Sequence, residues 1–225
     1  LSLFVAAPFA KVSLAVSLKD TLVRFGMNGV LVLSMVPMVQ SGCGLNFGLP
    51  LGVISGLLGA VTTMEMGITG VMGFITAIIL SCAIAAVLGW GYGKMLNRVK
   101  GEEMVISTYV GLSSVMFMCM MWLVLPFKSP AMVWGYGGSG LRTTITLEGY
   151  WFNIIDNFLA IKIGDFTFPT GLFIFFAVMA FLVWAFFHTK TGTAMTAVGS
   201  NPDFARASGI DVNRMRTISV VISTV

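Results

Sequence analysis

Few side chains in this sequence have the company that covalent chemistry requires. Ser139 lies in a Gly137-Gly138-Ser139-Gly140 run that resembles a serine-nucleophile turn. Such a serine needs a base within hydrogen-bond reach, and the one histidine is His188. The charge pattern described below puts those two residues on opposite sides of a bilayer, about 30 Å apart. A phosphate-cradling loop would end in Gly-Lys-Ser/Thr, yet the one Gly-Lys pair, Gly93-Lys94, is followed by Met95. Cys43, Cys82 and Cys119 are widely separated and embedded in apolar runs, without the CxxC or Cys/His spacing of a zinc site or disulfide framework. Met116, Met118, Met120 and Met121 flank Cys119, a set of soft donors. Alternating positions on a helix spread sulfurs around it, however, and methionine is a common gap filler. No enzyme, catalytic residue or metal site is expected.

The remaining chemistry is that of polar groups inside apolar stretches. Asn28, Gln40 and Asn46 qualify, and polar residues at membrane depth either line a solute route or satisfy broken backbone and neighbouring helices. We carry all three as candidate substrate-path residues.

Those residues sit in a chain that is 57% hydrophobic and 10% charged, against about 25% charged in a soluble domain. Its surface is therefore expected to face lipid. Thirteen Lys+Arg against nine Asp+Glu give +4, but the bases fall between apolar runs and form no nucleic-acid-binding face. Charges punctuate the sequence. Glu65 to Lys94, Glu103 to Lys128 and Asp165 to Lys190 enclose 28, 24 and 24 residues free of Asp, Glu, Lys and Arg, and about 20 apolar residues cross a bilayer. These gaps predict spans at Ile68–Tyr92, Met104–Phe127 and Phe168–Phe187. Arg24 to Glu65 encloses 40 residues, enough for two segments, Met27–Ser41 and Leu49–Thr63. The Gly-, Pro- and polar-rich stretch Gln40–Pro50 is expected to be unwound between them. Gly48, Gly52, Gly56 and Gly59, then Gly67, Gly70 and Gly73, predict close helix crossings. The chain starts and stops inside apolar runs. The expected architecture is all-α: one polytopic transmembrane helix bundle over residues 1–225, truncated at both ends.

Basic density marks the cytoplasmic side of such proteins. Lys94, Arg98 and Lys100 crowd one loop, and Lys190, Arg206, Arg214 and Arg216 another. Residues 128–165, with Trp134, Tyr136, Tyr150, Trp151 and Phe152, then lie outside, where aromatic residues anchor at the interface or meet a partner. Lys11, Lys19 and Arg24 fall on the same outer side, and an interfacial helix over Val12–Phe25 would tolerate them.

The most informative stretch is Gly199-Ser-Asn-Pro-Asp-Phe-Ala-Arg-Ala-Ser-Gly-Ile-Asp-Val212. Asn201 can cap a helix, Pro202 fits its first position, Asp203 complements the dipole and Gly209 fits the position past its end. Phe204, Ala205 and Ser208 are expected on one face and Arg206 on another. A stiff helix of this kind, in a cytoplasmic loop over 190–216, can dock into a groove on a cytosolic protein. Thr189–Thr217 resembles the cytoplasmic loop of binding-protein-dependent permeases of the ribose/xylose/galactose type, with nucleoside and branched-chain amino-acid relatives. Gly199, Asn201, Ala205, Gly209, Ile210 and Val212 match that family's Gly-x-Asn-x-x-x-Ala-x-x-x-Gly-Ile-x-Val pattern. Met27–Gly59 resembles its second and third spans, with Asn46 where many relatives have Asp.

The resemblance implies a multi-pass permease of the bacterial inner membrane, of which this chain is about half of a roughly ten-span subunit. It also implies partners: a second permease subunit, identical or related, cytosolic ABC ATPases that bind the ATP, and an external solute-binding protein. The permease itself then needs no cofactor. Asn201, Pro202, Phe204, Ala205, Arg206, Ser208 and Gly209 would form the ATPase-coupling helix, and the cargo would be a sugar or nucleoside. The competing class is a stand-alone secondary carrier or channel. A proton-coupled carrier needs an ionisable relay, and no Asp, Glu, Lys, Arg or His falls mid-span.

Overall fold

The structure, a computed structural model, describes residues 14–125, 150, 161–163 and 166–225. The Ser139 run and the aromatic residues Trp134, Tyr136, Trp151 and Phe152 lie outside them. The described helices are α1 (Leu14–Gln40), α2 (Leu49–Glu65), α3 (Gly70–Arg98), α4 (Glu103–Val124), α5 (Thr170–Phe187), α6 (Lys190–Ser200), α7 (Pro202–Ala207) and α8 (Val212–Thr224). The architecture is helical, as composition predicts. Two short strands, β1 (Ile161–Ile163) and β2 (Phe166–Phe168), pair antiparallel with Ile161 opposite Phe168, and nothing in the apolar pattern announces them.

Among the described residues, four helices are long and apolar enough to cross a membrane, within Ser17–Gln40, Gly70–Arg98, Glu103–Trp122 and Thr170–Phe187. Their exposed side chains explain why. On α4, Val105, Leu112, Met116, Phe117, Met120 and Val124 all face outward. A helix apolar on its outer face is at home in hydrocarbon. Met118 is buried while Met116 and Met120 are exposed, so the sulfurs diverge.

The long uncharged gap divides where the glycines and polar residues fall. The first helix ends at Gln40 and the second begins at Leu49 with Pro50 in its first turn. Val12–Phe25 is not a separate interfacial helix, because α1 runs without interruption from Leu14 through the apolar segment to Gln40. Its 27 residues span about 40 Å at 1.5 Å each. Gly26 costs a helix only about 1 kcal/mol relative to alanine, too little to break it.

The chain divides into two compact units. The described residues of one are 14–33, 161–163 and 166–186, in which Gly26 and Gly29 of α1 face Leu172 and Phe176 of α5. A Cβ at Gly26 would stand 2.6 Å from the Leu172 side chain, the close approach that small residues permit between helices in lipid.

The described residues of the other unit are 34–125, 150 and 187–225. Here α2, α3 and α8 form the packed centre. A Cβ on Gly52 would lie 2.8 Å from the Thr224 carbonyl oxygen, and one on Gly59 would run into Ser81. Gly56 has open space instead, so the predicted glycine row is in close contact at only some of its positions. Met38, Cys43, Tyr92, Leu96 and Val220 form its main apolar cluster.

Residues 190–200, expected as loop, are helix α6. Thr189 caps it by accepting from the Gly192 amide. Gly192, Met195 and Val198 are its buried residues, a spacing of three that puts them on one side. The segment is rich in Thr and Gly, both poor helix formers, so tertiary burial rather than propensity makes it helical.

Candidate functional site

The non-helical residues 41–48 connect α1 to α2 and occupy the meeting point of α3, α4 and α8. Because they lie outside a helix, their polar groups need other partners. The end of α1 and the break itself meet its backbone amides, and α8 meets three of its side chains. Ser41 and Ser219 hydroxyls are 2.6 Å apart, Asn46 Nδ2 donates to Ser223 Oγ at 2.8 Å, and Arg216 Nε donates to Cys43 Sγ at 3.1 Å. Arg216, Ser219 and Ser223 recur at helical spacing of three and four and are all buried. They form a polar stripe along α8 that is matched, group by group, to the break.

Asn46 is the centre of this network. It is fully buried. Its Oδ1 accepts from the Gly48 amide at 2.9 Å and from the Tyr92 hydroxyl at 3.4 Å, and Tyr92 in turn bonds Ser107 of α4. Asn46 therefore cross-links the break to α3, α4 and α8. The other two path candidates are placed differently. Asn28 is exposed on α1, and Gln40 is exposed at the end of that helix. Asn46 and Gln40 share a unit with the break, and Asn28 belongs to the other.

The shell around Asn46 carries a prediction. Gly48 N–H donates, and the Tyr92 and Ser223 hydroxyls can both rotate to donate. Three such donors suit a carboxylate as well as an amide oxygen. Asn46→Asp should keep thermal stability within about 1 kcal/mol of the parent. Asn46→Leu strands the Gly48 amide and takes the partner from the Ser223 hydroxyl, and should cost about 2–4 kcal/mol. Thermal unfolding of the two detergent-purified variants checks both.

The short helix α7 is built as its residues dictate. Asn201 Oδ1 accepts from the amides of Asp203 and Phe204 at 3.1 and 3.0 Å, and Pro202 occupies the first turn. At the other end, Ile210 N donates to the Ala205 carbonyl and Gly209 N to that of Arg206. This paired closure needs a left-handed residue, and Gly209 has φ 82°. Ser208 is the exposed C-cap.

One expectation is corrected. Phe204 and Ala205 do not share a face: Ala205 is fully buried and Phe204 is 66% exposed. Successive residues on a helix lie about 100° apart, and the cluster of Ala205 with Val198 and Val212 fixes which one points inward. Ile210 and Met215 pack on the same cluster. Thus α7 is bolted by Ala205 to α6 and α8 and presents Asn201, Pro202, Phe204 and Arg206 outward. Arg206 pairs with Asp203 one turn earlier at 3.2 Å, with both side chains well exposed, which contributes little to stability.

Two further contacts involve the helices on either side of α7. At Gly199 a side chain would collide with the Gln40 carbonyl oxygen, and a Cβ on Gly42 would meet Gly199 Cα at 3.1 Å. The end of α6 therefore touches the break backbone to backbone. Beside this contact, Arg216 pairs with Glu103, the first residue of α4. Charge density alone groups Arg216 with the loop bases. Its burial with Ser219 and Ser223 is readable in the sequence only as a helical spacing of three and four.

No curated protein and no solved structure matches the chain significantly. Residues 17–225, which hold every helix just described except the first three residues of α1, match the family described as branched-chain amino acid transport system, permease component, and the chain belongs to that family of ATP-driven importer permeases.

Proposed function

We propose that this chain is the path-forming subunit of an importer for a small uncharged polar solute, a sugar or nucleoside, handed over by an external binding protein. A cytosolic ABC ATPase drives it through α7, and a second permease subunit completes the path. The observation that carries the reading is α7 itself. A two-turn helix capped at both ends, rigidly bolted by Ala205 and displaying Phe204 to solvent, is shaped to transmit force from a separate protein. Arg98 ends α3, Lys100 lies in the turn that leads to α4, and Lys190 begins α6, a basic grouping that accords with a cytoplasmic position in the inner membrane. ATP is bound by the partner. The cycle is alternating access: ATP closes the ATPase pair, α7 moves, and the 41–48 break gates the solute route.

The docking assignment predicts that Phe204→Asp abolishes co-purification of the ATPase, because it puts a charge where a ring should bury in a groove. Gly209→Pro should do the same, since proline holds φ near −65° where Gly209 has +82°. Membrane insertion should be unaffected in both. Normal ATPase capture by both variants would refute the assignment.

The family's description favours a second reading for the cargo, a branched-chain amino acid. A zwitterion needs partners for both its charges, and residues 25–64, which include the 41–48 break, hold no Asp, Glu, Lys, Arg or His. An uncharged polyol or nucleoside does not need them. Thermal-shift measurement of the cognate binding protein against ribose, xylose, galactose, adenosine, leucine and valine separates the readings. Stabilisation by leucine or valine alone overturns the sugar or nucleoside proposal.

A further inference from the structure

Arg216 is the one charged residue among the buried residues of the described structure. Its guanidinium joins three pieces of backbone. It belongs to the second turn of α8, donates through Nε to Cys43 in the break, and pairs through Nη2 with Glu103 at the start of α4. Cys43 also receives the Ser41 hydroxyl at 3.4 Å and is only 2% exposed. A buried ion pair contributes little net stability, because desolvation offsets attraction, yet breaking it asymmetrically is costly. Such a pair is better suited to defining a state than to holding a fold together.

Two further features give this pair somewhere to go. A cavity of about 240 Å³ adjoins it, lined among others by Lys100, Glu103, Pro202, Arg206 and Arg216. A guanidinium drawn into that space would recover hydration. Only four residues separate the end of α7 from the start of α8, and Val212 is packed with Ala205. Any displacement of α7 is thereby delivered to the end of α8 that carries Arg216.

We propose that Arg216 is a conformational latch: in the state seen here it fastens α8 to α4 and to the 41–48 break, and displacement of α7 releases it. Ser219 and Ser223 bond the break deeper along α8 and act as the pivot. Arg216 is thus a positioning residue. The proposal rests on α7 being the site at which the ATPase acts.

Cys43 reports the latch directly, because Arg216 covers it. In a Cys82→Ser/Cys119→Ser background Cys43 is the chain's remaining thiol. The permease, purified with its cognate ATPase, is labelled with N-ethylmaleimide without nucleotide and after trapping with ATP and vanadate. Cys43 should react slowly in the first state and at least about fivefold faster in the second, since thiol reactivity follows access. Glu103→Gln removes one charge with little change of shape, and should make Cys43 react fast in both states while the ATPase remains bound. Arg216→Lys keeps a cation for Glu103 and should retain the nucleotide dependence that Glu103→Gln loses, which a purely structural role would not predict. Equal labelling of the parent in the two states overturns the latch, as does unchanged nucleotide dependence in Glu103→Gln. Phe204→Asp tests the underlying reading separately: if it retains the ATPase, the docking site is elsewhere, whatever the labelling shows.

Discussion

Replacing Glu103 with leucine should lower stability by about 3 kcal/mol, the lower end of what removing one partner of a buried pair costs. The lower end applies because Glu103 keeps 16% of its side-chain surface exposed. The cost arises from what is left behind. Arg216, 9% exposed, would retain only the weak sulfur acceptor of Cys43. A guanidinium stays charged under all accessible conditions, so it cannot escape the penalty by losing a proton. Adding Arg216→Met to Glu103→Leu should recover most of the loss, because the double variant buries two apolar groups and no charge. Thermal unfolding of the two single variants and the double closes the cycle. A double variant less stable than both singles would mean that the pair holds the fold together rather than defining a state.

That experiment concerns a contact that the sequence hides. By charge density Arg216 belongs with Lys190, Arg206 and Arg214 as a loop base. What distinguishes it is helical spacing to Ser219 and Ser223, a stripe whose meaning depends on a segment far earlier in the chain. Local signals are more legible. The run of Gly, Asn and Pro over residues 40–50 identifies the break, because those residues satisfy and shape irregular backbone. Asn201, Pro202 and Gly209 identify α7 because caps act within a few residues of themselves. The face of α7 is not legible, for the converse reason. Phe204 is the larger apolar residue, but Ala205 is the one that fits between Val198 and Val212. Size at a helix crossing is decided by the neighbour, and no neighbour is visible in a one-dimensional pattern.

The second large effect is expected at Gly199, where the approach of two backbones leaves nothing flexible to yield. A side chain there meets the Gln40 carbonyl oxygen, with the Gly42 amide nitrogen 3.0 Å away. Neither is the end of a side chain that could rotate aside. Overpacking of this kind typically costs about 1–3 kcal/mol when side chains can adjust, and Gly199→Val should fall at or beyond the upper end. Gly56 supplies the control. It also lies within a helix, but nothing stands within 4 Å of where its Cβ would be, so Gly56→Ala should be neutral or stabilising by up to about 1 kcal/mol. Thermal unfolding of both variants measures the difference. If Gly199→Val proves as stable as Gly56→Ala, then α6 and the break do not touch as described. The path from α7 to the break would then run through α8 alone, and the full burden of coupling would fall on Arg216, Ser219 and Ser223.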